Sequence, residues 1–198
     1  MDKFQNKYRI PSARATWWKY DAEGIYFITI CTAKRDCIFG DIQNGKMKLS
    51  CLGEIVLEEW NKSFALRKEL FCDCFIIMPN HIHGILRIEN IATDKNDVKT
   101  HDRASLPNNA SLQNNVEKSG VAHRTPKSIS SFVAGFKSSA TKHINEYKNT
   151  PKIPVWQSRF HDNIIVNEQS YQVIAAYILS NPLKWDEDTF NPDNQNKK

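Results

Sequence analysis

The spacing of hydrophobic residues divides the chain into strands and helices. Residues 25–32 are β-branched and aromatic, a composition typical of a buried central strand. Two further apolar runs, 71–78 and 81–89, flank a Pro-Asn turn sequence and together predict a β-hairpin. Residues 160–166 alternate well enough between apolar and polar side chains to supply the last strand.

Helical spacing occurs in two places between these strands. From Leu52 an apolar residue recurs at every fourth position, which describes one face of an amphipathic helix. A second helix begins at Ser128 or Ser130, either of which can cap it, and carries a long apolar stripe. Before the first helix, Asn44-Gly45 is a strong signal for a small accessory hairpin.

The order strand, helix, hairpin, helix, strand predicts an α+β fold. It is the order of a ferredoxin-like or RRM-like domain, in which an antiparallel sheet carries helices on one face. A further helix, residues 168–180, follows the last strand, with Asn167 suited to cap it and Pro182 to end it. Because the chain has 198 residues, 40% of them hydrophobic, we expect a single domain over 1–198.

Two segments lack any apolar repeat. Residues 1–20 mix cations such as Arg9 and Arg14 with tyrosine and tryptophan. This basic arm either contacts a nucleic-acid strand, where cations neutralise phosphates and rings stack on bases, or packs on its own domain through its tryptophans. Residues 91–127 are polar with few aromatic side chains and predict a flexible insertion, the alternative being a loop that orders on DNA.

Charge and cysteine content narrow the class of protein. Lysine and arginine number 27 against 22 aspartate and glutamate, and the net charge of +5 suits a polyanionic partner without proving one. No apolar run reaches the length of a membrane span, and the charged N-terminus lacks the apolar core of a signal peptide. We therefore expect a cytoplasmic protein with no membrane partner. Five scattered cysteines describe no disulfide framework and are expected to be reduced.

Four polar side chains form the candidate site. His81 and His83 are two apart on a strand and therefore share one face, while the apolar Ile82 takes the other. Such a pair on a polar strand face often binds nothing. Tyr177 and Asn181, however, are four apart on the last helix and project from the same side of it. Two imidazoles, a phenol and an amide can therefore meet at one point.

The same residues resemble the motifs of a known family, the IS200/IS605-like, HUH-type single-tyrosine transposases. The His-Ile-His segment at 81–83 is similar to the metal motif of that family. Residues 177–182 match the nucleophile helix, with the pattern Tyr-Ile-x-x-Asn-Pro of the REP-associated tyrosine transposase branch. Residues 26–32 and 156–160 also look like that group, so the resemblance covers roughly 8–185 apart from the polar middle. It implies the same ferredoxin-like sheet with a nucleophile helix added after the last strand.

The resemblance implies a metal-dependent DNA endonuclease and strand transferase. Such an enzyme cuts single-stranded, hairpin-forming DNA through a covalent 5′-phosphotyrosine, here at Tyr177, with a divalent metal held by His81, His83 and Asn181. The metal is needed because a free tyrosine, with a pKa near 10, is a poor nucleophile at neutral pH. We leave the metal as Mg²⁺ or Mn²⁺, since Mg²⁺ prefers oxygen ligands and two imidazoles suit Mn²⁺ better.

Basic residues in several segments are candidates for contact with the DNA backbone. They are Arg9, Arg14, Lys137, Lys142 and Arg159. The two lysines lie off the apolar stripe of the second helix, a position that more often forms a solvated face. The expected partner is single-stranded or hairpin DNA. A homodimer is left open, because branches of the resembled group differ in whether the tyrosine acts in its own protomer or in a partner's.

Two other functions are compatible with these residues. One is a catalytically silent DNA-binding module that recognises repeat hairpins through the same basic surface and needs no metal. The other is a His-pair metallohydrolase, which would use water as the nucleophile and survive the loss of Tyr177. The presence of all four site residues favours the transposase-like enzyme.

Overall fold

The computed structural model describes residues 3–4, 7–8, 23–89 and 127–195. The predicted basic arm at 1–20, with Arg9 and Arg14, lies outside these ranges except for two short strands. The predicted insertion at 91–127 lies outside them except for its last residue. Both therefore stay predictions from the sequence.

The described chain forms the predicted strands and helices in their predicted order, together with short elements near each end that the sequence did not indicate. The strands are β1 (Lys3–Phe4), β2 (Lys7–Tyr8), β3 (Gly24–Cys31), β4 (Gly40–Gln43), β5 (Lys46–Leu49), β6 (Leu70–Ile77), β7 (His81–Ile88) and β8 (His161–Ile165). The helices are α1 (Cys51–Ala65), α2 (Ile129–Lys148), α3 (Glu168–Ser180), a 3₁₀ helix (Asn181–Glu187) and α4 (Pro192–Gln195). None of those in the described ranges is both long enough and apolar enough to cross a lipid bilayer.

The main sheet has four antiparallel strands in the order β6-β7-β3-β8. β3 is the central strand expected from its composition, because it pairs with β7 on one side and β8 on the other. Its register sets Thr29 opposite His83. The accessory hairpin β4-β5 also forms, and Asn44 and Gly45 at its turn both have positive φ, 52° and 69°, as a tight two-residue turn requires.

One face of the sheet is covered by α1 and α2. Its core contains Tyr26, Ile28 and Leu86 from the central strands, and Trp60 from α1 packs among them. The Trp60 ring stacks on Phe75, with ring centroids 4.1 Å apart. Burial of such large aromatic side chains is the main favourable contribution to folding in this layer.

The opposite face of the sheet is covered by α3. Ile178 of this helix is fully buried against Ile85 and Ile165 of the sheet. Side chains alternate between the two faces of a strand, so the face that carries Ile85 on β7 also carries His81 and His83. The expected α+β fold, an antiparallel sheet with two helices on one face and a later helix added, is therefore confirmed.

Side-chain caps begin the later helices where the sequence indicated. Ser128 Oγ accepts a hydrogen bond from Ser131 N at 3.2 Å, so the first of the two candidate serines is the cap of α2. Asn167 Oδ1 accepts from Ser170 N at 2.8 Å and begins α3. Pro182 ends the α-helical pattern as expected, and the chain continues beyond it as a 3₁₀ helix.

Candidate active site

Two buried histidines lie under α3 near one end of β7. The exposed fraction of the side chain is 0% for His81 and 1% for His83, and the two ring centroids are 4.5 Å apart. They share a face as the strand alternation predicted, while Ile82 enters the core on the other side. The imidazoles are therefore adjacent, desolvated and directed toward the helix that carries Tyr177.

The His81 ring is oriented by its neighbour Asn80. The Asn80 amide nitrogen donates to the backbone carbonyls of Arg35, at 2.9 Å, and Phe190, at 2.7 Å. Its oxygen, Oδ1, is left to accept from His81 Nδ1 at 2.8 Å. In a neutral ring the proton is then on Nδ1, and Nε2 carries a lone pair. Nε2 is buried and has no hydrogen-bond partner among the described residues.

His83 is held between the central strand and α3. Its Nδ1 lies 2.8 Å from Thr29 Oγ1, and its Nε2 lies 3.3 Å from the Tyr177 hydroxyl. Phe27 stacks on the imidazole, with ring centroids 5.3 Å apart. Both nitrogens and one ring face are therefore contacted by residues from two elements, β3 and α3.

Burial keeps both imidazoles neutral. It lowers the pKa of His83 to about 4. It also lowers the pKa of His81 well below its ordinary value, and the neighbouring His83 and the positive charge of Arg35 act in the same direction. Both histidines are therefore neutral near neutral pH. The neutral ring is the form of histidine that can bind a metal.

Tyr177 and Asn181 meet the histidines from the end of α3. The Tyr177 side chain is 41% exposed, so a polymer in solvent can reach it. Asn181 keeps helical geometry (φ −55°, ψ −43°) although Pro182 follows, so the four-residue spacing holds. The Asn181 side chain is 2% exposed, and its Oδ1 has no hydrogen-bond partner among the described residues.

Surrounding groups keep the phenol protonated near neutral pH. Burial raises the pKa of Tyr177 above its ordinary value, and the negative charge of Asp188 raises it further. A hydrogen bond from the Asn181 side chain acts in the opposite direction. Tyr177 therefore needs help from a positive charge to become a strong nucleophile.

The donor set fits a divalent metal. His81 Nε2 and Asn181 Oδ1 are buried acceptors without a partner in the described chain, the state expected of atoms that bind a cation. His83 Nε2 faces the same space beside Tyr177. The described ranges contain no group of three or more His, Cys, Asp and Glu side chains arranged to hold a metal. A site here therefore depends on the Asn181 amide in addition to the two imidazoles.

Three residues at the site were not identified from the sequence. Asn80 was interpreted as a turn residue, and Thr29 as one member of a strand. Asp188 directly follows the 3₁₀ helix as its C-cap, with its Oδ2 4.0 Å from His81 Nε2 and its side chain 7% exposed. Burial raises the pKa of Asp188, while a hydrogen bond from Phe190 N lowers it. Of these three residues, only Asn80 has a sequence signal that could have identified it, because it directly precedes His81.

The predicted DNA contacts lie away from this group. Lys137 and Lys142 are on α2, across the sheet from Tyr177. The Lys137 ammonium donates to the carbonyls of Gln157, at 2.8 Å, and Arg159, at 2.9 Å, and so fastens that loop to α2. Lys142 and Arg159 are exposed, and Lys142 lies 3.9 Å from a carboxylate oxygen of Glu146. Binding of DNA by these residues stays a prediction.

Comparison with known proteins gives a fold and a family. A solved structure of a REP-associated tyrosine transposase bound to a REP hairpin matches with a TM-score of 0.54 and 16% identity, over 88% of this chain and 74% of that one. A curated relative from Haemophilus influenzae (strain ATCC 51907 / DSM 11121 / KW20 / Rd), named "Uncharacterized protein", is 35% identical over 178 residues, which are 89% of this chain and 90% of the relative. No protein-family model matches the sequence.

The chain therefore has the fold of a tyrosine transposase, and the resemblance to the REP-associated branch is confirmed at the level of the fold. At the level of sequence, the chain belongs to the same family as the Haemophilus influenzae protein.

Proposed function

We propose that this protein is a metal-dependent endonuclease and strand transferase that cuts single-stranded, hairpin-forming DNA through Tyr177. The observation that carries the proposal is the position of the Tyr177 hydroxyl, 3.3 Å from His83 Nε2, although the two residues are 94 apart in the chain. A half-exposed phenol lies beside two buried, neutral imidazoles and an amide oxygen, Asn181 Oδ1, that has no hydrogen-bond partner in the described part of the chain, and this combination supports a functional role for the site.

The comparison of structures supports the proposed substrate class. The solved transposase that shares this fold is bound to a REP hairpin. A net charge of +5 is compatible with a polyanionic strand, and the exposed Tyr177 side chain can reach a phosphate at the surface. Hairpin DNA is therefore the substrate class that we propose, and the cytoplasm is the compartment in which we expect it to be cut.

The reaction is a transesterification at phosphorus. The Tyr177 oxygen attacks the scissile phosphorus, a new tyrosine-phosphorus bond forms on the 5′ side, and the bond from phosphorus to the 3′ oxygen breaks. The phenol proton is lost to solvent and the leaving 3′ oxygen takes up a proton, so the step is balanced. The phosphotyrosine conserves the energy of the broken bond, and the reverse step can rejoin strands without ATP.

The site residues divide the tasks of this reaction. A divalent metal bound by His81, His83 and Asn181 would polarise the phosphate and stabilise the leaving oxygen. Asn80 and Thr29 hold the two rings in place, the role that outer-shell residues have at metal sites. Because the Tyr177 hydroxyl now faces His83 Nε2, it must leave that nitrogen before His83 can act as a ligand.

The proposal is tested by looking for the covalent intermediate. Labelled single-stranded hairpin DNA from the flanks of the gene is incubated with the full chain and Mn²⁺ or Mg²⁺, and the products are separated on a denaturing gel and analysed by mass spectrometry. We expect a metal-dependent adduct that maps to Tyr177. Tyr177→Phe should abolish the adduct while hairpin binding is retained, because only the nucleophilic oxygen is removed.

A matched control is available on the same helix. Tyr171, which packs against the sheet two turns earlier, can be changed to Phe and should leave cleavage intact. Hairpin binding without an adduct in either metal would favour the catalytically silent DNA-binding module. Cleavage by Tyr177→Phe would instead point to a hydrolase that uses water.

A further inference from the structure

Arg35, in the loop between β3 and β4, has a left-handed backbone that its neighbours hold in place. Its φ is 61°, a conformation that arginine rarely adopts because its Cβ crowds the backbone there. Its N–H donates to the Thr32 carbonyl at 3.2 Å, and its own carbonyl accepts from the Asn80 amide at 2.9 Å. The same Asn80 orients His81, so this loop is fastened to the candidate site. Strained backbone that is held in this way occurs most often at functional sites.

The side chain of Arg35 extends to the edge of the candidate site. Its guanidinium carbon lies 5.1 Å from the centroid of the Phe190 ring. From there, ring centroids follow one another at 4.6 Å from Phe190 to His81, 4.5 Å from His81 to His83 and 5.3 Å from His83 to Tyr177. Arg35 and Tyr177 are therefore at the two ends of one series of contacts.

The charge of Arg35 has no carboxylate partner in the described ranges. None of the ion pairs between described residues includes it, although its side chain is only partly exposed. After burial and the neighbouring His83, the charge of Arg35 is the third cause that lowers the pKa of His81, so it acts on the site itself. A guanidinium presents paired N–H donors that match two oxygens of a phosphate. Arg35 is therefore suited to bind a phosphate at this edge of the site.

We propose that Arg35 binds a phosphate of the DNA strand next to the phosphate that Tyr177 attacks. This inference rests on the proposed function, because it concerns the same bound strand. Three rings separate Arg35 from Tyr177, so its guanidinium meets a neighbouring phosphate and not the scissile one. Arg35 thus holds the strand in register with Tyr177 and takes no part in forming or breaking a bond.

The test is a measurement of hairpin binding by the full chain carrying Tyr177→Phe, so that no adduct forms. The probe is labelled hairpin DNA from the flanks of the gene, with a single-stranded extension on each side, and fluorescence anisotropy follows binding at several KCl concentrations. Adding Arg35→Gln should weaken binding by about tenfold or more, because hydrogen bonds to a charged group are lost. The slope of log K against log[KCl] should decrease in magnitude by about 0.7, the value for one phosphate contact on a single strand.

Two further variants separate a specific contact from a general effect of charge. Lys148→Gln removes the same unit of charge from the last turn of α2, across the sheet from Tyr177, and should leave affinity and slope unchanged. Arg35→Lys keeps the charge without the paired donors, so it should keep the slope and recover only part of the affinity. Equal binding by Arg35→Gln and Lys148→Gln would overturn the inference.

The rate of adduct formation distinguishes this role from a catalytic or structural one. In the chain that retains Tyr177, with Mn²⁺, Arg35→Gln should raise the DNA concentration for half-maximal rate by about tenfold and change the rate at saturating DNA by less than about twofold. A large loss of rate at saturation would place Arg35 on the scissile phosphate and overturn the proposed position. A melting temperature of the DNA-free variant lowered by more than about 4 °C would assign Arg35 a structural role and would also overturn it.

Failure of the proposed function gives different results. If hairpin DNA binds in an Arg35-dependent way but yields no Tyr177 adduct, the phosphate contact is supported and the nucleophile is rejected. If the adduct forms but Arg35→Gln binds DNA as tightly as the chain that retains Arg35, only the role of Arg35 is rejected. Absence of hairpin binding would reject both.

Discussion

At the scale of the residue, Asn80 has more influence on the site than its position in a turn suggests. It is 1% exposed, and its side chain makes three hydrogen bonds, to His81, Arg35 and Phe190. These bonds set the tautomer of His81 and hold the turn that begins at Asp188. Asn80 therefore positions His81, one of the three proposed ligands, without being a ligand itself.

Asn80→Ala should weaken Mn²⁺ binding by about 10- to 100-fold, the range typical of outer-shell partners of metal ligands. Titration with MnCl₂ measures the effect. Asn61→Ala, which changes an exposed asparagine on α1, is the control and should leave the affinity unchanged. Equal affinities of Asn80→Ala and the unmodified chain would show that His81 needs no support from Asn80.

Tyr177 and the proposed metal would compete for the same nitrogen, His83 Nε2. The hydroxyl lies 3.3 Å from His83 Nε2 and is placed to donate to its lone pair. A hydrogen bond contributes about 1 kcal/mol net, so Tyr177→Phe should bind Mn²⁺ up to about fivefold more tightly. Calorimetric titration with MnCl₂ measures this change in affinity. A loss of affinity would mean that the phenol oxygen is itself a ligand.

Local spacing could predict that the members of each pair of site residues share a face, whereas the resemblance to the transposase family predicted that the two pairs form one site. His81 and His83 are two apart on a strand, and Tyr177 and Asn181 are four apart on a helix. Thr29 could not be predicted in the same way. It reaches His83 through antiparallel register across 54 residues of sequence, and no local pattern records that register.

At the scale of the element, the two helix glycines have opposite surroundings. A Cβ built on Gly53 of α1 would lie about 2.2 Å from the Phe39 carbonyl oxygen, a rigid backbone atom. A Cβ built on Gly135 of α2 would meet no atom within 4 Å. The first glycine allows α1 to begin against the loop before β4, whereas the second has no packing role.

Gly53→Ala should therefore destabilise the protein by about 1 to 3 kcal/mol, because backbone must shift to admit the methyl group. Gly135→Ala should stabilise it by about 0.5 to 1 kcal/mol, because alanine is favoured over glycine inside a helix. Urea denaturation of both variants measures the two changes. The same sign for both would contradict this account of the α1 contact.

The helix starts were predictable, and the continuation of the chain past α3 was not. Ser128 and Asn167 signal a start through their own side chains, which bond to the first turn. Pro182 correctly predicted the end of α3, but a proline at the beginning of a 3₁₀ helix is equally acceptable, since it has no N–H to satisfy. That continuation brings Asp188 to within 4.0 Å of His81, an approach that no local spacing in the sequence predicts.

At the scale of the whole molecule, burying two histidines makes stability depend on pH. In the unfolded chain a histidine has a pKa near 6.5, whereas burial lowers the pKa of His83 to about 4 in the folded protein. Between these values the unfolded state binds a proton that the folded state does not. Stability is therefore greatest above about pH 6.5 and falls as the pH decreases toward 4.

With metal removed by a chelator, His83 alone should lower the free energy of unfolding by about 2 kcal/mol between pH 7 and pH 5. Urea denaturation at several pH values measures the slope. His83→Asn should flatten it, while His161→Asn, at an exposed position on β8, should leave it unchanged. If the free energy of unfolding had the same pH dependence in His83→Asn as in the unmodified chain, His83 would not be its cause.

The separation of 94 residues between His83 and Tyr177 also has a consequence for synthesis of the protein. A ribosome completes β7, which carries both histidines, long before it adds Tyr177. For that time the nascent chain has the two proposed metal ligands of β7 without the proposed nucleophile. A message cut short anywhere between these codons yields a product that cannot form the proposed bond to DNA. The proposed capacity to break a strand thus arises only after the four strands of the main sheet have been translated.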